Sequence, residues 1–274
     1  MRGEVSVAGL LIGAGLYGMT PFQEAMEEGY TPKGYHHARK FSAAYEKYHF
    51  EKLVPSKEPI IPKILHQIWI GGDVPEKFKP LMQTWTLHHP DWEYKLWTDS
   101  DIESFPFDNP QMFQSASNVG AQSDIWRYEI LKKYGGVYVD IDFECLQPLT
   151  PLVYCHKFFA GIGGYDYVNN AIIGSVAEHP LLRRMLGILA VTAPALFENP
   201  WYHTGPLFFT KQVYAYLKEH PEEGIVYPIK FFHPLPNTYR HAYWQGQLPR
   251  EEIEKFFIPE TFGVHYWAES WINK

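Results

Sequence analysis

The chain has 274 residues, enough for one sizeable α/β domain with its own core or for two small ones. Hydrophobic residues make up 46% and charged residues 20%, which excludes a disordered chain. The formal net charge is -7, from 24 basic and 31 acidic residues without a basic tract, so no nucleic-acid partner is expected.

The most apolar stretch, Val5 to Met19, is shorter than the roughly 20 residues a membrane span needs, and it is glycine-rich. Arg2 is its only flanking base and Glu4 follows. That is a poor secretory signal, so no firm membrane span is expected and a cytoplasmic placement is favoured. Gly13, Gly15 and Gly18 match G-x-G-x-x-G, but no second strand follows at the spacing a dinucleotide site requires. A hydrophobic packing segment suits these glycines better; a nucleotide-dependent oxidoreductase stays as an alternative.

Residues 21–54 read as one or two helices and 53–62 as a linker, so residues 1–59 form an N-terminal extension, helical in character, ahead of a main domain at 60–274. Lys63 to Ile70 is a β-rich run stopped by Gly71-Gly72. Pro75 to His89 is helical, with Phe78, Leu81, Met82 and Trp85 on related faces, and Pro90 ends it. Tyr94 to Trp97 is a short strand; Asp99 or Ser100 can cap the helix after it. Asn118 to Tyr134 is a long helix with Gly135-Gly136 as its stop, and Val137 to Asp142 is the strand that follows. Further strands fall at 158–161, 171–176, 225–229 and 262–266, with helices at 179–192 and 206–219. This alternation predicts an α/β sheet domain. Cys145 and Cys155 read as ordinary thiols rather than zinc ligands. Aromatic residues reach 17%, more than a sugar site alone could use, so most belong to the core.

Asp140 and Asp142 close an apolar strand two residues apart, so the strand period puts both carboxylates on one face. Two like charges there are costly unless a cation lies between them. A hard divalent ion, Mn2+ or Mg2+, takes oxygen ligands and can bridge carboxylates to phosphate oxygens. Without the ion the two should repel, so neutralising one should stabilise the fold. The plain alternative is a pair of solvated turn aspartates. Asp124 and Arg127, three apart on the preceding helix, share a face; they form a surface ion pair or a clamp for sugar hydroxyls and phosphate. Asn169 and Asn170, at a strand edge, carry amides that could hold sugar hydroxyls. A dehalogenase-type phosphatase also uses D-x-D, but Glu144 stands where it needs Thr or Val.

The run AQSDIWRYEILKKYGGVYVDID at 121–142 resembles the D-x-D region of glycosyltransferase family 32. KILHQIWIGG at 63–72, TGPLFFT at 204–210 and HYWAESW at 265–271 resemble its other blocks. The resemblance covers roughly residues 60–274. It implies a GT-A-type nucleotide-sugar-binding fold, a Rossmann-like mixed sheet flanked by helices. It implies a retaining glycosyltransferase with a Mn2+ or Mg2+ cofactor, a UDP- or GDP-sugar donor, and a glycan, lipid or protein acceptor. Carried over by residue, Trp69 stacks on the donor base, Asp124 and Arg127 hold the donor sugar, and Tyr138 is a neighbouring contact. Asp140 and Asp142 are the D-x-D; Asn170 joins the donor contacts; Ser270 and Trp271 close over the diphosphate; His265 is a metal ligand. Glu269 departs from the small residue usual before Ser-Trp. A non-catalytic glycan-binding protein is the remaining alternative.

Overall fold

The computed structural model describes residues 19–26, 36–164 and 166–268. Gly13, Gly15, Gly18, Ser270 and Trp271 lie outside them.

The first helix, α1 (His36–Tyr48), buries Ala38, Phe41 and Tyr45, spaced three and four apart as an amphipathic stripe should be. The Tyr45 ring packs edge-on to Tyr227 and Phe231, and its hydroxyl donates to the Thr20 carbonyl at 2.8 Å. Phe22, Phe41, Tyr45 and Phe50 belong to the same hydrophobic cluster as the central strands.

Strand β1 (Ile64–Ile68) leads into Gly71 and Gly72. The N–H groups of both glycines are gathered by Asp99, at 3.0 Å for its Oδ2. Asp99 is therefore not the cap of the next helix. Thr98 is, in a box with Asp101, whose carboxylate returns to the Thr98 N–H at 2.9 Å. Helix α2 (Lys79–His88) and strand β2 (Glu93–Trp97) precede the long helix α3 (Val119–Tyr134). Asn118 caps α3, accepting from the Gly120 N–H at 2.8 Å. From Asp124 to Leu131 every α3 side chain is buried, so this helix crosses the interior and has no wet face there.

Strand β3 (Gly136–Val139) ends before the D-x-D, and Asp140 to Asp142 form a turn into β4 (Phe143–Cys145). Strands β5 (Phe158–Gly164) and β6 (Tyr167–Ser175) follow, then helices α4 (Pro180–Ala190), α5 (Pro200–His203) and α6 (Pro206–Glu219), and strands β7 (Ile225–Tyr227) and β8 (Gly263–His265). The main sheet has the order β2-β1-β3-β6-β5-β7. All its strands are parallel except β6, which pairs antiparallel with β3 and β5. The expected mixed α/β sheet flanked by helices is present. A second, two-stranded sheet joins β4 to β8 antiparallel, Phe143 opposite His265. Cys145 and Cys155 are free thiols.

The turn from α3 into β3 needs two glycines. Gly135 has φ 64° and Gly136 φ 95°, where side chains are disfavoured. A Cβ on Gly136 would also lie 2.6 Å from the Ile64 carbonyl oxygen, a backbone atom that cannot yield. Gly136→Ala should lower unfolding stability by about 1–3 kcal/mol in a urea titration; an unchanged midpoint would mean that this turn is not under the constraint described.

Candidate active site

A cavity of about 190 Å³ opens beyond the carboxyl ends of β1 and β3. Trp69 after β1, Asp124 and Arg127 from α3, Tyr138 and Asp140 from the β3 end, and Asn170 from the start of β6 all line it. Because β6 runs against its neighbours, its amino-terminal end shares the edge where the parallel strands finish. This is where ligands bind in open α/β sheets.

Arg127 is the only Lys or Arg among the described residues lining the cavity, and its side chain is 7% exposed. Its Nη1 donates to Asp140 Oδ1 at 3.1 Å and to the Asn170 carbonyl at 2.8 Å. Its Nη2 lies 3.3 Å from Asp124 Oδ1 and donates to Ser123 Oγ at 3.0 Å. The guanidinium rests on the Tyr138 ring, 4.4 Å from its centroid. One cation thus serves the buried Asp124 and the half-buried Asp140.

Asp124 is held from three elements. Asn170 Nδ2 donates to Oδ1 at 2.7 Å, and the Thr204 hydroxyl, fully buried, donates to Oδ2 at 2.8 Å. Tyr128, one turn along α3, receives the second Asn170 N–H at 3.0 Å and donates to the Thr204 carbonyl at 2.7 Å. Glycine suits position 205, because a Cβ there would meet Asp124 Oδ2 at 3.0 Å and the Pro200 carbonyl at 3.0 Å and would press on both. Burial pushes the Asp124 carboxyl up to about 6 despite these donors.

The two aspartates of the D-x-D come together by a different route from strand alternation, since β3 stops at Val139. Asp140 is fixed by its N–H to the Ala171 carbonyl (2.9 Å) and by Gln67 Nε2 donating to its carbonyl (3.2 Å). The Tyr138 hydroxyl donates to Asp140 Oδ1 at 2.6 Å. Asp142 starts the β4–β8 ladder: its carbonyl accepts the Tyr266 N–H at 3.0 Å and its Oδ2 the Ala268 N–H at 2.7 Å. That ladder brings His265 in, with Nε2 at 3.2 Å from Asp142 Oδ1 and 3.9 Å from Asp140 Oδ2. Burial and the neighbouring Asp142 charge raise the Asp140 carboxyl, against Arg127. Asp142 is drawn down, because His265 and the Ala268 N–H outweigh its burial. His265 goes up: burial would depress it, but Asp142 and then Asp140 prevail.

Each aspartate is therefore paired within the protein, and simple mutual repulsion does not describe them. The charge is still unbalanced. Asp124, Asp140 and Asp142 face one guanidinium and one imidazole. Ligand atoms about 2.0–2.2 Å from a divalent ion lie within about 4.4 Å of one another. Asp140, Asp142 and His265 each offer one atom, all within 4.8 Å of each other. Two carboxylate oxygens and one imidazole nitrogen, a few tenths of an ångström from closure, make a candidate site for a divalent ion.

The structure thus brings Trp69, Asp124, Arg127, Tyr138, Asp140, Asp142, Asn170 and His265 to one cavity. Asn169 and Asn170 stand on the internal strand β6 and not at a sheet edge, and Asn169 Oδ1 is already engaged by the Ala171 N–H at 2.9 Å. The Trp69 ring packs against Phe78, and its Nε1 donates to the Asp73 carbonyl at 3.0 Å. Sequence reasoning missed Gln67, Tyr128, Thr204 and Trp267. Gln67 had a readable signal, a fully buried amide inside the apolar run KILHQIWI. Trp267 stands inside the HYWAESW run, but its φ of 52° and its ring 4.4 Å from His265 are products of the fold.

Residues 75–159 match the family described as the glycosyltransferase sugar-binding region containing a D-x-D motif. Inositol phosphoceramide mannosyltransferase 2 of Schizosaccharomyces pombe is 34% identical over 226 residues, 80% of this chain and 60% of that protein. Mannosyl phosphorylinositol ceramide synthase SUR1 of Saccharomyces cerevisiae is 33% identical over 57% of this chain and 42% of its own length. Among solved structures, the PaToxG glycosyltransferase aligns at 18% identity and a TM-score of 0.48, over 82% of this chain and 92% of that one. The chain belongs to the D-x-D family of sugar transferases, the family its motifs resemble. It spans about 60% of the length of the first of these relatives.

The Asp124 carboxyl gives a pH signature. Folded, it keeps its proton to about pH 6; unfolded, it loses it near 3.8. The folded state binds the extra proton between those values, so this part of the stability is largest below about pH 4 and is lost as the pH rises to about 6. Its size is at most about 3 kcal/mol, at about 1.4 kcal/mol per unit. Asp124→Asn should flatten the stability-against-pH curve in that window. Parallel curves for variant and wild type would show that Asp124 ionises normally.

Proposed function

We propose that this chain transfers a mannosyl residue from a nucleoside-diphosphate mannose to a hydroxyl of an inositol-phosphate sphingolipid, with a divalent ion and with retention of anomeric configuration. The observation that carries the transferase part is the cluster Asp140, Asp142 and His265 at the end of a cavity whose only Lys or Arg, among the described residues, is Arg127. The sugar and acceptor rest on the names of the fungal relatives, at 34% and 33% identity.

Asp140, Asp142 and His265 would hold the ion, which would supply positive charge against the leaving diphosphate. The remaining work falls to the chain. Asp140 turns Oδ1 to Arg127 and Tyr138 and leaves Oδ2 toward His265. Arg127 and Tyr138 thereby fix the orientation of a ligand carboxylate. Asp124 and Asn170, locked to each other, present a carboxylate and an amide to sugar hydroxyls. Trp69 gives the cavity an aromatic wall for a base, and its engaged Nε1 sets the plane of that wall.

Retention requires either a double displacement or attack from the face the leaving group departs. The carboxylates lining the cavity, among the described residues, are Asp124, Asp140 and Asp142. Asp124 already accepts from Asn170, Thr204 and Arg127, and the other two are the ion's ligands. None is free to become a covalent nucleophile, which favours same-face attack. The acceptor oxygen bonds to the anomeric carbon as the bond to phosphate oxygen breaks, and that oxygen takes the acceptor's proton. Incubation with GDP-mannose, UDP-glucose and UDP-galactose in turn, followed by proton NMR of the product, tests both points. An α-linked mannoside from GDP-α-mannose alone is expected; a β-linked product would exclude retention, and turnover of only the uridine donors would exclude mannosyl transfer.

The ion site makes a separate prediction. Asp142→Asn removes one ligand and weakens the acceptor for His265 and the Ala268 N–H. The ion-free fold should lose about 1–3 kcal/mol, and Mn2+ should no longer raise the unfolding temperature as it does for a protein that binds ions only when folded. Transfer should fall below detection. A variant that Mn2+ stabilises as strongly as wild type would remove Asp142 from the ligand set.

A further inference from the structure

Residues 185–197 carry no charge at all, although the chain there runs along the surface. Helix α4 buries Leu181, Leu182, Met185, Leu186 and Leu189. Its last turn and the residues after it leave Gly187, Ala190, Val191, Ala193, Pro194 and Ala195 exposed, Val191 at 85%. The one hydroxyl in the run, Thr192, donates back to the Ile188 carbonyl at 2.9 Å and so offers little to water. Arg183 and Arg184 flank the run on the exposed side of α4.

The chain runs on from this segment to the wall of the cavity. A 3-10 turn, Pro194–Glu198, leads into α5, where Pro200 and Trp201 line the cavity and Tyr202 stands 53% exposed beside them. Five residues separate Ala195 from Trp201 in the chain. Single exposed apolar residues need no explanation, but an uncharged ridge of this length, separated from the rim of a reaction cleft by only Glu198 and Asn199, does.

We propose that this ridge rests on an anionic lipid bilayer and brings the cavity mouth to the headgroup of a bilayer-borne acceptor; the second half of the statement rests on the lipid acceptor proposed above. The composition fits a headgroup layer better than a protein. Val191, Ala193, Pro194 and Ala195 are too small to act as the large anchors that dominate protein interfaces. Small apolar groups can enter the acyl boundary while Tyr202 stays at the water boundary, where tyrosine and tryptophan concentrate. Arg183 and Arg184 add attraction for anionic headgroups.

The test is co-sedimentation of the full chain with vesicles of phosphatidylcholine carrying phosphatidylinositol, without donor or divalent ion. Val191→Glu/Ala195→Glu places two charges on exposed positions outside the cavity, and its unfolding temperature serves as the control for folding. Wild type should partition about tenfold more strongly than this variant, and Arg184→Glu should weaken binding to the anionic vesicles but not to pure phosphatidylcholine. Transfer from a sugar nucleotide to water should be unchanged in the double variant. Equal partitioning of wild type and double variant would overturn the proposal, as would absence of vesicle binding. So would a dimer in analytical ultracentrifugation that the double variant dissolves, since the ridge would then meet a second copy. Because no donor or ion is present, failure here leaves the transferase reading intact. An enzyme inactive on every donor that still binds vesicles through the ridge would defeat only that reading.

Discussion

A single buried guanidinium stands between carboxylates that outnumber it, and the rest of the cleft is organised around that imbalance. Arg127 reaches Asp124 at 3.3 Å and Asp140 at 3.1 Å, with Asp142 next in line. Its own pKa is held above the ordinary value: burial would lower it, but Tyr138, Asp140 and Asp124 outweigh burial. One charge cannot satisfy three, and each carboxylate shows a different response. Asp124 is pushed up and wrapped in neutral donors, Asp140 is shared, and Asp142 draws charge from His265. The negative excess that remains lies where three ligand atoms converge. That convergence is the ground for the divalent cation proposed above.

How much of this was legible depended on whether a local signal determined the outcome. Helix α6 runs from Pro206 to Glu219, as the sequence predicts, because proline at its first position and a periodic apolar face both act within a few residues. Asn118 and Gly135 bracket α3 for the same reason. The D-x-D was visible but its geometry was not. The two aspartates occupy a turn, and their approach depends on β8, more than 120 residues away in the chain, pairing Phe143 with His265. Thr98 displaced Asp99 as a cap because Asp99 was drawn to the Gly71 and Gly72 N–H groups, a competition between two acceptors that spacing cannot decide. The packing of Tyr45 against Tyr227 and Phe231 is likewise long-range: an apolar stripe on α1 states that something covers it, not what.

The abundance of aromatic residues has a mechanical consequence. Beneath α3, Trp97, Phe105, Phe107, Phe113 and Trp126 form a contiguous set of rings with centroids 4.6 to 6.0 Å apart. Rings of this size fill space with few rotamers, so they fix the rotation of the helix about its axis. That rotation sends Asp124 and Arg127 to the cleft while Ile125 and Trp126 go to the core. On the other side, Phe143 stacks on His265 at 5.3 Å and Trp267 lies 4.4 Å from it, so the imidazole is clamped between rings. A side chain held this way would lose little conformational freedom on binding a ligand.

The antiparallel strand β6 completes the arrangement. In a wholly parallel sheet every strand would offer only its carboxyl end to the cleft, and that end would already be used by the loop leading away. Reversing β6 places the beginning of a strand there, so Asn170 arrives from within the ladder, its backbone carbonyl accepting from Arg127 at 2.8 Å and its amide donating to Asp124 at 2.7 Å. The residue that positions the Asp124 carboxylate is thereby tied directly to the sheet and not to a loop. Removing that tie while keeping the strand would leave Asp124 with Thr204 as its remaining neutral donor. The cleft then depends on α3, β6 and the Thr204–Gly205 corner meeting at one carboxylate, and on Arg127 relaying its position to the aspartates of the D-x-D.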